Sequence, residues 1–114
     1  MKMIESPSLT VETAASKFAA LGSEQRLQVL HSLVRAGRDG LSIGALGERT
    51  GITGSTLTHH LKILSAAGLV TQARQGRSII CAAADYTEVE ALSDYLLRQC
   101  CADADTCHKD ADHG

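Results

Sequence analysis

The chain has 114 residues and a formal net charge of −2, a length that ordinarily folds as one domain with a modest core. With one Phe, two Tyr and no Trp, that core must be built from Leu, Ile, Val and Ala, as helix-on-helix packing allows. No run of eighteen apolar residues is present to span a bilayer, and residues 1–10 lack the apolar centre of a secretory leader, so a cytoplasmic protein is expected.

Residues 10–21 are predicted helical, with Val11, Ala14, Ala15, Phe18 and Ala19 at helical spacing and Gly22 as a stop. Ser23 caps a second helix whose apolar stripe is Leu27, Leu30, Leu33 and Val34. Gly37 ends it, and Arg38-Asp39-Gly40 turns the chain. Ser42 caps a short third helix with Ile43 and Leu46 inward, in which Gly44 and Gly47 each cost about 1 kcal/mol relative to Ala. Gly51-Ile52-Thr53 makes a tight turn into a fourth helix, residues 54–67, lined by Leu57, Leu61 and Leu64 and closed by Gly68. Two β-like runs, residues 69–74 and 77–83, are joined by Gln75-Gly76. Thr87-x-x-Glu90 reads as a capping box that opens a last helix, residues 87–99, with Val89, Leu92, Leu96 and Leu97 apolar.

Charge is distributed unevenly. Residues 1–84 carry nine Lys/Arg and five Asp/Glu, whereas residues 85–114 carry two and eight. Within residues 49–84, Arg49, Lys62, Arg74 and Arg77 stand with no acid among them. A positive middle and a negative end suit a chain that meets a polyanion with one face. Two short helices joined by a tight turn, the second with a small polar outer face, make a helix-turn-helix. On the fourth helix Ser55, Thr56, Thr58, His59 and Lys62 lie away from the leucine stripe, and Thr53 stands just before it. Short hydroxyl side chains let a helix approach base edges, His59 can donate or accept there, and Lys62 suits a phosphate. Arg74 and Arg77 at the hairpin tip are placed to reach the backbone or the minor groove. These residues form the candidate DNA-binding set. His60 borders the leucine stripe and reads as a packed or phosphate-bonded histidine.

The run Thr56-Leu57-Thr58-His59-His60-Leu61-Lys62-Ile63-Leu64-Ser65-Ala66-Ala67-Gly68-Leu69-Val70 resembles the recognition-helix signature of the ArsR/SmtB winged-helix repressors. Leu21-Gly22-Ser23-Glu24-Gln25-Arg26-Leu27-Gln28-Val29-Leu30 resembles that family's second-helix entry, and Arg74-Gln75-Gly76-Arg77 its wing. The resemblance covers residues 12–98. It implies a mainly α fold with a small β-hairpin, the winged helix-turn-helix, and a homodimeric transcriptional repressor that leaves double-stranded operator DNA when an inducer binds. The first and last helices would form the dimer interface. Two recognition helices would then sit about 34 Å apart on a near-palindromic site. Residues 1–101 are expected to form the DNA-binding and dimerisation domain, and residues 102–114 a flexible acidic tail.

Cys100, Cys101 and Cys107 form a C-C-x5-C cluster on that tail. Without an export signal, such thiols read as ligands or redox groups rather than a disulfide framework. The third helix, Ile43-Gly44-Ala45-Leu46, lacks the cysteines of the family's arsenic and cadmium box, and the last helix lacks the histidine of its zinc site. The tail cluster instead resembles that of arsenic-responsive members with a vicinal cysteine pair and a third cysteine. The resemblance implies arsenite or antimonite as inducer and no organic cofactor. Trivalent arsenic is soft and takes three thiolates. Zinc or cadmium would draw a fourth ligand from His108, Asp103 or Asp105. A disulfide between Cys107 and Cys100 or Cys101 would make a redox or reactive-sulfur sensor instead. A metallochaperone would not need the helix-turn-helix. With no C-x-x-C, phosphate-cradling loop or nucleophile elbow, an enzyme is not expected. Neighbouring residues on a helix point about 100° apart, so convergence of Cys100 and Cys101 is expected to unwind the end of the last helix. Cys81, near Ile79 and Ile80, reads as a buried small hydrophobe, and His108 and His113 as solvated tail residues.

Overall fold

The computed structural model describes residues 9–98 and 100–104. Within them the elements run α1 (Val11–Ala20), α2 (Glu24–Ala36), β1 (Leu41–Ser42), α3 (Ile43–Thr50), α4 (Gly54–Ala66), β2 (Val70–Gln75), β3 (Ser78–Ala83) and α5 (Tyr86–Leu97). This is the expected winged helix-turn-helix: a mainly helical body with a small antiparallel sheet, in the strand order β1–β3–β2.

Local chemistry sets most helix starts. Thr10, Ser23 and Ser42 each accept from the amide three residues on, at 3.1, 3.3 and 3.1 Å. α5 departs from expectation. Asp85 is its N-cap and accepts from the Thr87 amide at 3.1 Å, so Thr87 already lies inside the helix. A carboxylate brings charge as well as an acceptor to the positive end of a helix, which a threonine hydroxyl cannot match.

The hairpin turn also falls one residue later than expected. Gln75 pairs with Ser78, so Gly76 and Arg77 make the turn, with Gly76 at φ +61°. β1 was not expected from the sequence. Leu41 pairs with Cys81 and Ser42 with Ile80. Gly40 leads into this pairing at φ +71°, and a Cβ there would collide with the Cys81 carbonyl oxygen. Only glycine allows so close a backbone approach.

The core is aliphatic. Leu33, Leu46, Leu57, Leu61, Leu64, Leu69 and Val29 are fully buried together with Cys81, where α2, α3 and α4 close over the sheet. Each such leucine contributes roughly 1.5–3 kcal/mol of apolar transfer. Two stripes escape it. On α1 the buried positions are Ala14, Lys17 and Ala20, while Val11 is 60% and Phe18 36% exposed, and Ala15 and Ala19 are exposed as well. Of the expected α1 stripe only Ala14 turns inward, beside Lys17 and Ala20, while the larger Val11 and Phe18 face outward. On α5 Leu92 is buried, but Leu96 and Leu97 are exposed. Leu27, expected inside, is exposed too, and Val29 fills the α2 interior instead. No helix among the described residues is long and apolar enough to cross a membrane.

Candidate nucleic-acid interface

Three residues, Gly51-Ile52-Thr53, join α3 to α4. Gly51 turns the chain at φ +75°, and its amide donates to the Gly47 carbonyl at 2.8 Å. The Thr50 hydroxyl donates to the Leu46 carbonyl at 2.9 Å and accepts from the Ile52 amide at 3.3 Å. Ile52 is itself buried, so the turn is anchored to the core rather than draped over it. α4 then has two unlike faces. Leu57, His60, Leu61 and Leu64 are buried, whereas Ser55, Thr56, Thr58, His59 and Lys62 are exposed. Thr53 is exposed at the N-cap position, and its hydroxyl makes no cap bond. Arg74 near the end of β2 and Arg77 in the turn are exposed at the wing tip. Every residue of the expected set thus lies on the surface of α4, its entry or the wing.

Behind that face, His60 is held by α2. Its Nε2 lies 2.8 Å from Gln25 Oε1, and its Nδ1 lies 3.4 Å from Arg26 Nη1. An amide oxygen accepts and a guanidinium donates, so the neutral ring with its proton on Nε2 satisfies both partners. Burial, and then the Arg26 and His59 charges, push this imidazole below the usual histidine range. Arg26 Nε also donates to the Ala20 carbonyl at 2.6 Å, which ties the end of α1 into the same cluster. His60 is packed, as its place beside the stripe suggests.

Lys17 is a residue that sequence reasoning missed. It sits on the buried face of α1, donates to the Ala67 carbonyl at the end of α4 and lies 3.4 Å from Glu88 Oε1 on α5. The signal was available in its spacing: Lys17 falls three residues from both Ala14 and Ala20.

The cysteine pair lies just past α5. The helix stops at Leu97 rather than at residue 99, and the Cys100 amide donates to the Leu97 carbonyl at 2.9 Å. Cys101 adopts a left-handed φ of +64°, and the two sulfurs stand 3.5 Å apart. That exceeds the roughly 2.05 Å of a disulfide. The pair converges beyond the helix, so the expected unwinding of α5 is not needed to bring it together. Cys100 is exposed and Cys101 half-buried, while Cys81 is buried, with burial pushing its thiol up. Among the described residues no group of three or more His, Cys, Asp or Glu is placed to hold a metal ion. Cys107, His108, His113 and Asp105 lie outside the described residues.

A family model for a helix-turn-helix domain matches residues 21–73, from the entry of α2 into β2. The uncharacterized HTH-type transcriptional regulator YceK of Bacillus subtilis (strain 168) is 36% identical over 64 residues. That match covers 56% of this chain and 63% of YceK, less than two thirds of the relative's length. An ArsR-like transcriptional regulator from Rhodococcus sp. RHA1 superposes with a TM-score of 0.67 at 32% identity, covering 82% of this chain and 84% of that one. The chain belongs to the ArsR family. A homodimeric winged helix-turn-helix DNA-binding domain from Mycobacterium bovis, a possible ArsR-family regulator, gives a TM-score of 0.63 at 25% identity over 91% and 88% of the two chains. In this ArsR-family protein the helix-turn-helix model spans α2, α3 and α4 and enters β2, and its span includes neither Arg74 and Arg77 nor the cysteine tail.

Proposed function

We propose that the chain is a transcriptional repressor that binds near-palindromic operator DNA as a homodimer. It is released when arsenite or antimonite is taken up by Cys100, Cys101 and Cys107. The observation that carries the inducer is the 3.5 Å approach of the first two sulfurs at the end of α5. With ion–sulfur bonds of about 2.3 Å, two thiolates can share one ion when they stand within roughly 4.6 Å. Cys107 supplies the third thiolate that trivalent arsenic takes. The exposed hydroxyl and basic face of α4, backed by a rigid core, supports DNA reading through Thr53, Ser55, Thr56, Thr58, His59 and Lys62, with Arg74 and Arg77 on the backbone or minor groove. The outward apolar stripes of α1 and α5 support a two-fold partner, as in the homodimeric M. bovis relative. Cys100 and Cys101 follow shortly after the exposed Leu96 and Leu97 of α5, so inducer and DNA act on one dimer geometry and their coupling is reciprocal.

The test is an anisotropy titration of the protein–DNA complex with arsenite, antimonite, cadmium and zinc under strict reduction, with diamide in a separate arm. Arsenite is expected to lower DNA affinity by about 5- to 150-fold, the ordinary span of allosteric coupling. Cys100→Ser, Cys101→Ser and Cys107→Ser should each keep DNA binding and blunt that response. Release by diamide alone would mean a redox switch, and release by zinc or cadmium alone a tetrahedral site drawing on His108. Equal arsenite affinity of free and DNA-bound protein would remove the switch altogether.

A further inference from the structure

Lys17 is 7% exposed on a helix whose large apolar side chains face solvent. A buried ammonium persists only where it is paired and hydrogen-bonded. Its partners come from two other helices. The Ala67 carbonyl belongs to the C-cap of α4, where the helix ends with acceptors that no intrahelical amide satisfies. α4 has no basic residue of its own in its last turn, so Lys17 places a cation at the negative end of the helix dipole from outside. Gly68 follows at φ +78°, and a Cβ there would stand 2.9 Å from the ammonium. A side chain at this position would crowd the ammonium, and glycine leaves it room. Glu88, in the first turn of α5, completes the junction at 3.4 Å. One nitrogen thus joins α1 and α5, the helices with outward apolar stripes, to the far end of α4.

We infer that Lys17 is a positioning residue for DNA recognition. Its ammonium fixes the pose of α4 against α1 and α5, so the exposed face of α4 meets base edges in register. The inference rests on the reading of α4 as the DNA-facing helix. It separates Lys17 from the phosphate-contacting cations, because a nitrogen enclosed by three helices does not reach the duplex.

The test compares wild type, Lys17→Met and Glu88→Gln on two duplexes of equal length: one enriched from a random library by the wild-type protein, and a scrambled one. Lys17→Met is expected to weaken binding to the enriched duplex about tenfold, the effect of one mismatched base pair, and to leave the scrambled duplex and the salt slope unchanged. Glu88→Gln removes a negative charge, which electrostatics alone would turn into tighter binding. Positioning requires weaker binding to the enriched duplex instead. Glu12→Gln, an exposed acid on α1, is the charge control and should not weaken it. Thermal melting and sedimentation establish that each variant is folded and associates as wild type does. Should Lys17→Met not fold, Glu88→Gln decides alone, since that carboxylate is half-exposed. The inference is overturned if Glu88→Gln binds the enriched duplex as tightly as wild type, or if Lys17→Met weakens both duplexes equally with a shallower salt slope. If wild type itself does not distinguish the duplexes, the reading of α4 fails, and this inference with it.

Discussion

The ring of His60 is shared between Gln25 and Arg26, and a second proton on it would point Nδ1–H at a guanidinium that can only donate. The folded state therefore resists protonation, and its histidine titrates below the ordinary value of about 6.5. As pH falls below that value, the unfolded chain takes up this proton before the folded one does. The stabilisation is full above about pH 6.5 and drains away as pH falls through the lower folded value. Calorimetric melts should thus show Tm decreasing from pH 7.5 to 5.5, and His60→Gln should flatten the decrease while lowering Tm at neutral pH. The packed role of this histidine was legible in its place beside Leu57, Leu61 and Leu64. Its partners were not, since Gln25 and Arg26 lie 35 and 34 residues away in sequence. For Lys17 the spacing from Ala14 and Ala20 marked the inward face, but its partners were illegible. A lysine inside an alanine-rich helix looks solvated until a carbonyl and a carboxylate from other helices are brought beside it.

At the level of elements, leucine spacing located α2, α3 and α4 because their inner faces are buried within a single chain. The same logic misassigned α1, where the larger apolar side chains occupy the face the chain leaves open. β1 is two residues long, too short to carry a period, and exists through its pairing with β3. The start of α5 moved by one residue because the Asp85 side chain caps it in place of Thr87. The wing carries its own prediction. Arg74 and Arg77 stand exposed on either side of Gly76, in a hairpin rigidified by pairing along its whole length. Arg74→Ala or Arg77→Ala should weaken binding to every duplex and reduce the salt slope by about one per lost phosphate contact. Ser55→Ala should change the preferred sequence with little change in slope. Anisotropy at several salt concentrations separates the two behaviours.

On the scale of the whole molecule, the sequence already showed the polarity of charge, with basic residues through the helix-turn-helix and wing and acids after residue 84. The family resemblance further implied a homodimer with the first and last helices at its interface. Exposure on α1 and α5 is consistent with that placement. A charge set among those side chains would be desolvated without a partner on association. Phe18→Glu and Leu96→Glu should therefore sediment as folded monomers and lose more than about a hundredfold in DNA affinity, because two half-sites can no longer be held at once. A variant that stays dimeric would move the interface elsewhere on the surface.

Among the described residues, Cys81, enclosed between β1 and β2 and fully shielded, sets one thiol apart from the pair past α5. Poisons and peroxides consume thiolates that they can reach, and burial keeps this one both protonated and out of reach. Cys100 stands in the open, past the last helix. A disulfide or sulfenic acid formed at Cys100 therefore leaves the sheet that supports α2 and α3 untouched, and exchange with small thiols reverses it without the molecule being made anew.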